Sequence, residues 1–132
     1  MAQDSSQQRS PVEGAIRNPG APNHFMVIKP IDQRLRIYSG ETLLADTTSA
    51  LRVIEIGKTA YHPVVYIPAA DLQVSLSPSA KTTHCPLKGD ASYFSFEGEE
   101  ISWSYTSAFE FADALSDHHA FWASKVRIVE GE

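Results

Sequence analysis

A single cysteine, Cys85, stands in the 132-residue sequence. One thiol cannot close an intramolecular disulfide, nor can it complete a multi-cysteine zinc site. Long apolar runs are missing too, and nothing approaches the roughly 20 residues needed to span a bilayer. The opening residues, MAQDSSQQRS, lack a basic start followed by an apolar stretch. No secretory signal is therefore expected, and a cytoplasmic location is the simplest reading. Positive charge is scarce: 11 Lys and Arg stand against 16 Asp and Glu, for a formal net charge of −5. That balance argues against nucleic acid or an anionic membrane as partner, since both favour a basic face. A small anionic ligand held by one or two local cations stays compatible with it.

What is present fits one domain around one core. Residues 1–17 are polar and aperiodic, bury too little apolar surface to offset their ordering entropy, and are expected to form a flexible tail. Residues 18–132 are expected to form a single β-rich domain, entered through the loop-like "NPGAPNHF". From residue 25 the apolar pattern is mostly period two. Leu35 and Ile37 alternate with Arg34 and Arg36 before a Ser39-Gly40 hairpin turn. In "ALRVIEI" the phase slips from Leu51 and Val53 to Ile54 and Ile56, which predicts a bulge or a strand covered on both faces. "PVVYIP" reads as a short buried strand, and "DLQVSLSPS" as a strand with Leu72, Val74 and Leu76 inward. "ASYFSF" and "ISWSY" form a hairpin, with Ile101, Trp103 and Tyr105 on one face. Only "AFEFADALSDHHAFW" has helical spacing, through Phe111, Ala114, Leu115 and His118. The whole predicts about eight or nine antiparallel strands curled around a core, with one short helix near the C-terminus.

The chemistry-bearing residues concentrate in "KTTHCPLKGDASYFSF". Cys85 is a candidate nucleophile if His84 or Lys88 lowers its pKa; equally, it is a small residue in a corner fixed by Pro86 and Gly89. Lys88 beside Gly89 could hold a phosphate or carboxylate as a point charge, or simply pair with a surface carboxylate. "CPLKG" is not a phosphate-binding P-loop, because the flanking glycine and the Ser or Thr after lysine are missing. No metal site is expected. His118 and His119 are adjacent and would diverge by about 100° on a helix, and a site gathered from His62, His84 and His119 has no recognisable ligand spacing. His118 is expected against the core, beside Phe111 and Leu115. Tyr66, Tyr93, Trp103 and Tyr105 lie on strands around the motif and could line a ligand pocket, though many such residues are core. Arg52, Glu55 and Asp71 sit on strands expected to neighbour them.

Taken in order, "NPGAPNHFMVIKP", "ALRVIEIG", "YHPVVYIPAADL", "THCPLKGDASYFSF", "ISWSYTSAF" and "AFWASKVRI" resemble the bacterial domain-of-unknown-function family 427. Thr83 to Ala91 is the most specific element. The resemblance implies a tent-like β-fold similar to the Mss4-like and methionine sulfoxide reductase B groups. Relatives in that fold carry a four-cysteine zinc site, which one cysteine cannot supply. The family's label suggesting nucleotidyl transfer is not adopted, since no Asp-x-Asp occurs to hold magnesium. Two positions depart from the family's usual pattern, Ala69-Ala70 and Trp122-Ala123.

The resulting expectation is a binding module without a cofactor. Arg52, Tyr66, Thr83, Lys88, Tyr93, Trp103 and Tyr105 are its candidate ligand-binding residues, for a small polar or anionic molecule. A Cys85-dependent enzyme and a homodimeric interaction domain are the alternatives.

Overall fold

A computed structural model describes residues 14–18 and 20–131. The strands run in chain order β1 (Ile16–Asn18), β2 (Ala21–Pro30), β3 (Leu35–Ser39), β4 (Thr42–Thr47), β5 (Leu51–Ile56), β6 (Val64–Pro68), β7 (Ser77–Cys85), β8 (Gly89–Phe96), β9 (Glu99–Ala108), β10 (His118–Phe121) and β11 (Arg127–Glu130). An eight-stranded sheet has the order β1-β2-β5-β6-β10-β9-β8-β7, and a three-stranded sheet the order β11-β3-β4. All the pairings are antiparallel. The protein is mainly β, and no helix among the described residues is long and apolar enough to cross a membrane.

Side-chain alternation sorts the apolar residues into two clusters. The small sheet contributes Leu35, Ile37 and Leu44, all fully buried, which pack with Ile67, Ile101 and Phe121 of the large sheet. Tyr66 and Ala120 alternate with Ile67 and Phe121 along the same strands, so they face the other way. There they join Met26, Val53, Tyr93 and Tyr105 in the second cluster. Burying a Leu or Ile of this kind contributes about 1.5–3 kcal/mol.

Several elements differ from the sequence expectation. Ile16 and Arg17, placed in the expected tail, pair with Met26 and Phe25, and the expected entry loop is already strand from Ala21. Residues 1–13 of that tail lie outside the described residues. β5 pairs in regular register with β2 and β6, so the apolar phase slip is not a bulge. Instead Ile54 and Ile56 stay 43% and 38% exposed on the outer face. "DLQVSLSPS" begins in a 3-10 turn, Ala69–Asp71, and becomes strand only at Ser77. Leu72, Val74 and Leu76 still pack against the cluster of Leu35, Ile37 and Leu44, so the alternation recorded burial rather than ladder pairing.

The helical period near the C-terminus is also overruled. Glu110–Leu115 forms two 3-10 turns joined at a non-helical Ala112, and Asp117 at φ 60° turns the chain into β10. Six residues are too few to repay helix nucleation, whereas β10 fills the ladder between β6 and β9. His118 is half-buried with Nδ1 at 2.8 Å from the Ser116 carbonyl, and the next residue takes the buried side. His119 lies 3.2 Å from Ser102 Oγ and edge-on to Phe94. Burial, aided by neighbouring His118, holds its imidazole below the ordinary histidine range.

Gly89 is the backbone position with least freedom. Its φ is 114°, and a Cβ there would stand 2.3 Å from the Ser107 carbonyl oxygen and 2.9 Å from Ala108 Cα. Both obstacles are main chain of the paired strand. Gly89→Ala should therefore lower unfolding free energy by roughly 2–4 kcal/mol in urea titration. An unchanged midpoint would show that the β7–β8 corner is not held as described.

Candidate functional site

Register defines how far the large sheet must curl. Leu51, Tyr66, Ala120 and Trp103 form one row across β5, β6, β10 and β9. Along β5, Glu55 lies four residues from that row (55 − 51). Along β9, Ala108, the partner of Gly89, lies five residues from it (108 − 103) in the opposite direction. In a flat sheet these diagonal corners would stand more than roughly 30 Å apart. Here the Lys88 ammonium, next to Gly89, is ion-paired and hydrogen-bonded to Glu55 Oε1. Strong coiling alone allows this contact, and bulges in the β7–β8 and β8–β9 pairings supply part of it. One bulge sets Tyr105 and Thr106 opposite Ala91 alone.

The coil borders an open cavity of about 1120 Å³. Its walls are aromatic: Tyr66, Tyr93, Trp103, Tyr105 and Trp122 all reach it. Trp103 and Trp122 have ring centroids 4.4 Å apart, and Tyr93 lies nearly parallel to Trp122 at 6.4 Å. Tyr66 and Tyr105 neighbour each other with centroids 6.5 Å apart.

A compact charged cluster sits against these rings. Lys88 is only 4% exposed, and its ammonium lies 5.8 Å from the Tyr105 ring centroid. Glu55 Oε2 is 2.6 Å from His24 Nε2, so both carboxylate oxygens are engaged. Burial would raise the Glu55 carboxyl, but Lys88 first and His24 second outweigh it and hold the group below the ordinary glutamate range. Burial pushes the Tyr66 phenol well above its usual range, against an opposing hydrogen bond from Trp103. Tyr105 is pushed the same way, by burial first and then by Tyr66. Both phenols consequently stay protonated and can donate hydrogen bonds into the cavity.

Six of the eight sequence-predicted site residues come together here: Tyr66, Cys85, Lys88, Tyr93, Trp103 and Tyr105. Thr83 stands behind the wall, with Oγ1 2.8 Å from the Tyr93 hydroxyl, and is not itself a lining residue. Arg52 falls elsewhere. It alternates with Val53 and points to the outer face, where it donates to Glu130 Oε1 at 2.7 Å. Cys85 lines the cavity half-buried, and among the described residues its thiol has no hydrogen-bond partner. His84 is held by Asp90 Oδ1 at 2.7 Å. His62 and His84 both line the cavity, but His119 packs with Phe94 and Ser102 instead. Among the described residues no cluster of three His, Cys, Asp or Glu side chains could hold a metal ion.

Sequence reasoning missed His24, Tyr61 and Trp122, and gave Glu55 no partner. Glu55 was findable as the next member of the Leu51-Val53 face. His24 was hidden by a Pro- and Asn-rich stretch that reads as loop.

The family described as a domain of unknown function, DUF427, matches over residues 27–132. No curated protein matches the chain.

The buried pair makes two predictions. Lys88→Met leaves a half-buried carboxylate with His24 as its remaining partner and should cost about 3 kcal/mol, while Lys88→Met with Glu55→Leu should cost clearly less than the two single changes summed. Additive losses in a denaturation cycle would contradict the pairing. Because the folded-state value of Glu55 is depressed, its contribution is present above the ordinary glutamate range and is lost as pH falls below it. Stability of Glu55→Gln, measured by denaturation at stepped pH, should therefore fall less on acidification than that of the parent.

Proposed function

We infer that this chain, which belongs to the DUF427 family of domains of unknown function, binds a small polar or anionic molecule in the coiled-sheet cavity. The observation that carries this reading is the cavity itself: about 1120 Å³, aromatic on most sides, with a few fixed polar groups converging on it. Ligand sites have this make-up, broad apolar contact for affinity and sparse polar groups for orientation. A folding core alone would close such a space, since voids lined by large side chains forfeit packing. The diagonal closure by Lys88 and Glu55 also supports the tent-like type of fold, in which a coiled sheet shelters a site under its apex.

The position of Cys85 favours a second reading, a thiol enzyme acting on a small molecule. Its side chain lines the cavity beside the His84–Asp90 pair. Weighing against it, no base is hydrogen-bonded to the thiol among the described residues, and a catalytic nucleophile wants that contact. An edge-to-edge dimer has less support. The long outer strand β7 carries Pro78, Lys81 and a bulge between Pro78 and Thr82, features that blunt pairing.

Thermal shift against a panel of small aromatic acids, amides and nucleosides should raise the melting temperature for at least one class. Trp103→Ala should abolish that shift, whereas Arg52→Gln should leave it intact. A flat response for the parent protein would contradict the reading. Cys85→Ser should bind as the parent does; a stoichiometric burst from p-nitrophenyl acetate that disappears in Cys85→Ser would favour the enzyme instead.

A further inference from the structure

The charges around the cavity are unevenly committed. At its floor Lys88 and Glu55 neutralise each other, and His24 takes the remaining carboxylate oxygen. An anion pushed down to this level would meet the Glu55 carboxylate beside a cation already engaged, with little water to screen the repulsion. The other polar groups at that depth are the phenols of Tyr66, which accepts from Trp103, and of Tyr105; both stay neutral and add no charge.

The mouth is different. The β5–β6 connection is fixed there by main-chain bonds, Gly57 N–H to the Thr59 carbonyl at 2.9 Å and Tyr61 N–H to the Glu55 carbonyl at 3.1 Å. It places Lys58, Tyr61 and His62 on the lining. Lys58 and His62 are exposed, and neither forms an ion pair among the described residues. Among the described residues Glu55 is the sole acidic side chain on the lining, and it is spent at the floor. On a chain of net charge −5, the mouth is thus a local positive spot.

We propose that the ligand is a planar aromatic anion bound in one orientation. Its uncharged ring enters between Trp103, Trp122 and the two phenols, and its carboxylate or phosphate stays at the mouth on Lys58 and His62. This rests on the binding reading above and adds a substrate class and a polarity to it. It also moves the anion contact from Lys88, where the motif alone would put it, to a lysine in a different loop.

A matched probe pair tests it: 2-naphthoate and its neutral isostere 2-naphthamide, titrated calorimetrically into the parent protein, Lys58→Gln, His62→Gln and Trp103→Ala. At low ionic strength the acid should bind the parent about three- to fivefold tighter than the amide, the scale of one partly exposed ion pair. Raising the salt to about 0.5 M should shrink that preference. Lys58→Gln should remove most of the preference while leaving amide binding unchanged, and Trp103→Ala should weaken both probes. Equal binding of acid and amide, or a preference that survives both mouth substitutions, overturns this inference while leaving cavity binding intact. Failure of both probes to bind at millimolar concentration overturns the cavity reading with it.

Discussion

The contact between Lys88 and Glu55 is the constraint on which the rest of the molecule depends. It joins positions that the strand register places at diagonal corners of the eight-stranded sheet. Twist is intrinsic to strands of L-residues, but an open sheet can dissipate it in a gentle saddle. A buried ion pair is demanding in a way that apolar contact is not, because an unpaired charge in that position would be costly. Its value is therefore geometric more than energetic: it selects the strongly coiled arrangement over flatter ones with similar apolar burial. The cavity follows from that selection.

Once the coil is closed, side-chain alternation decides what faces inward. Val53 and Glu55, Val64 and Tyr66, and Trp103 all occupy one side of their strands, while the bulge opposite Ala91 re-aims Tyr105. Three large rings then stand around a space bordered by two neutral phenols and one charge-compensated cluster. The small sheet covers part of the opposite side through Leu35, Ile37 and Leu44, which leaves the cavity side free for function. Neutral phenols and a charge-compensated pair inside, and an uncommitted cation at the rim, give the cavity a direction, from neutral floor to positive mouth.

Much of this was legible in the residues. The turn at Ser39-Gly40 follows from its residue types, and the inward faces of β3 and β6 and the gathering of Tyr66, Tyr93 and Trp103 follow from period-two alternation. Where it failed, a longer-range interaction won. Ile54 and Ile56 mimic a core face yet lie outside, because Glu55 between them is needed by Lys88, 33 residues away. Phe111 to His118 has helical spacing, but the gap between β6 and β9 captures His118–Phe121 as a strand. Arg52 was placed in the site because its strand borders it; one residue of alternation sends it to Glu130 instead. No local pattern announces that a lysine in one turn will meet a glutamate across a folded sheet.

That meeting can be observed directly. In a nitrogen-15 NMR experiment tuned to lysine side chains, a buried and hydrogen-bonded Lys88 ammonium should exchange slowly with water and give a resolved signal at neutral pH. It should show Overhauser contacts to the Tyr105 ring, and the signal should vanish in Lys88→Met. A Lys88 ammonium that exchanges as fast as those of exposed Lys58 and Lys125, with no contact to the ring, would contradict the closed coil and the cavity built on it.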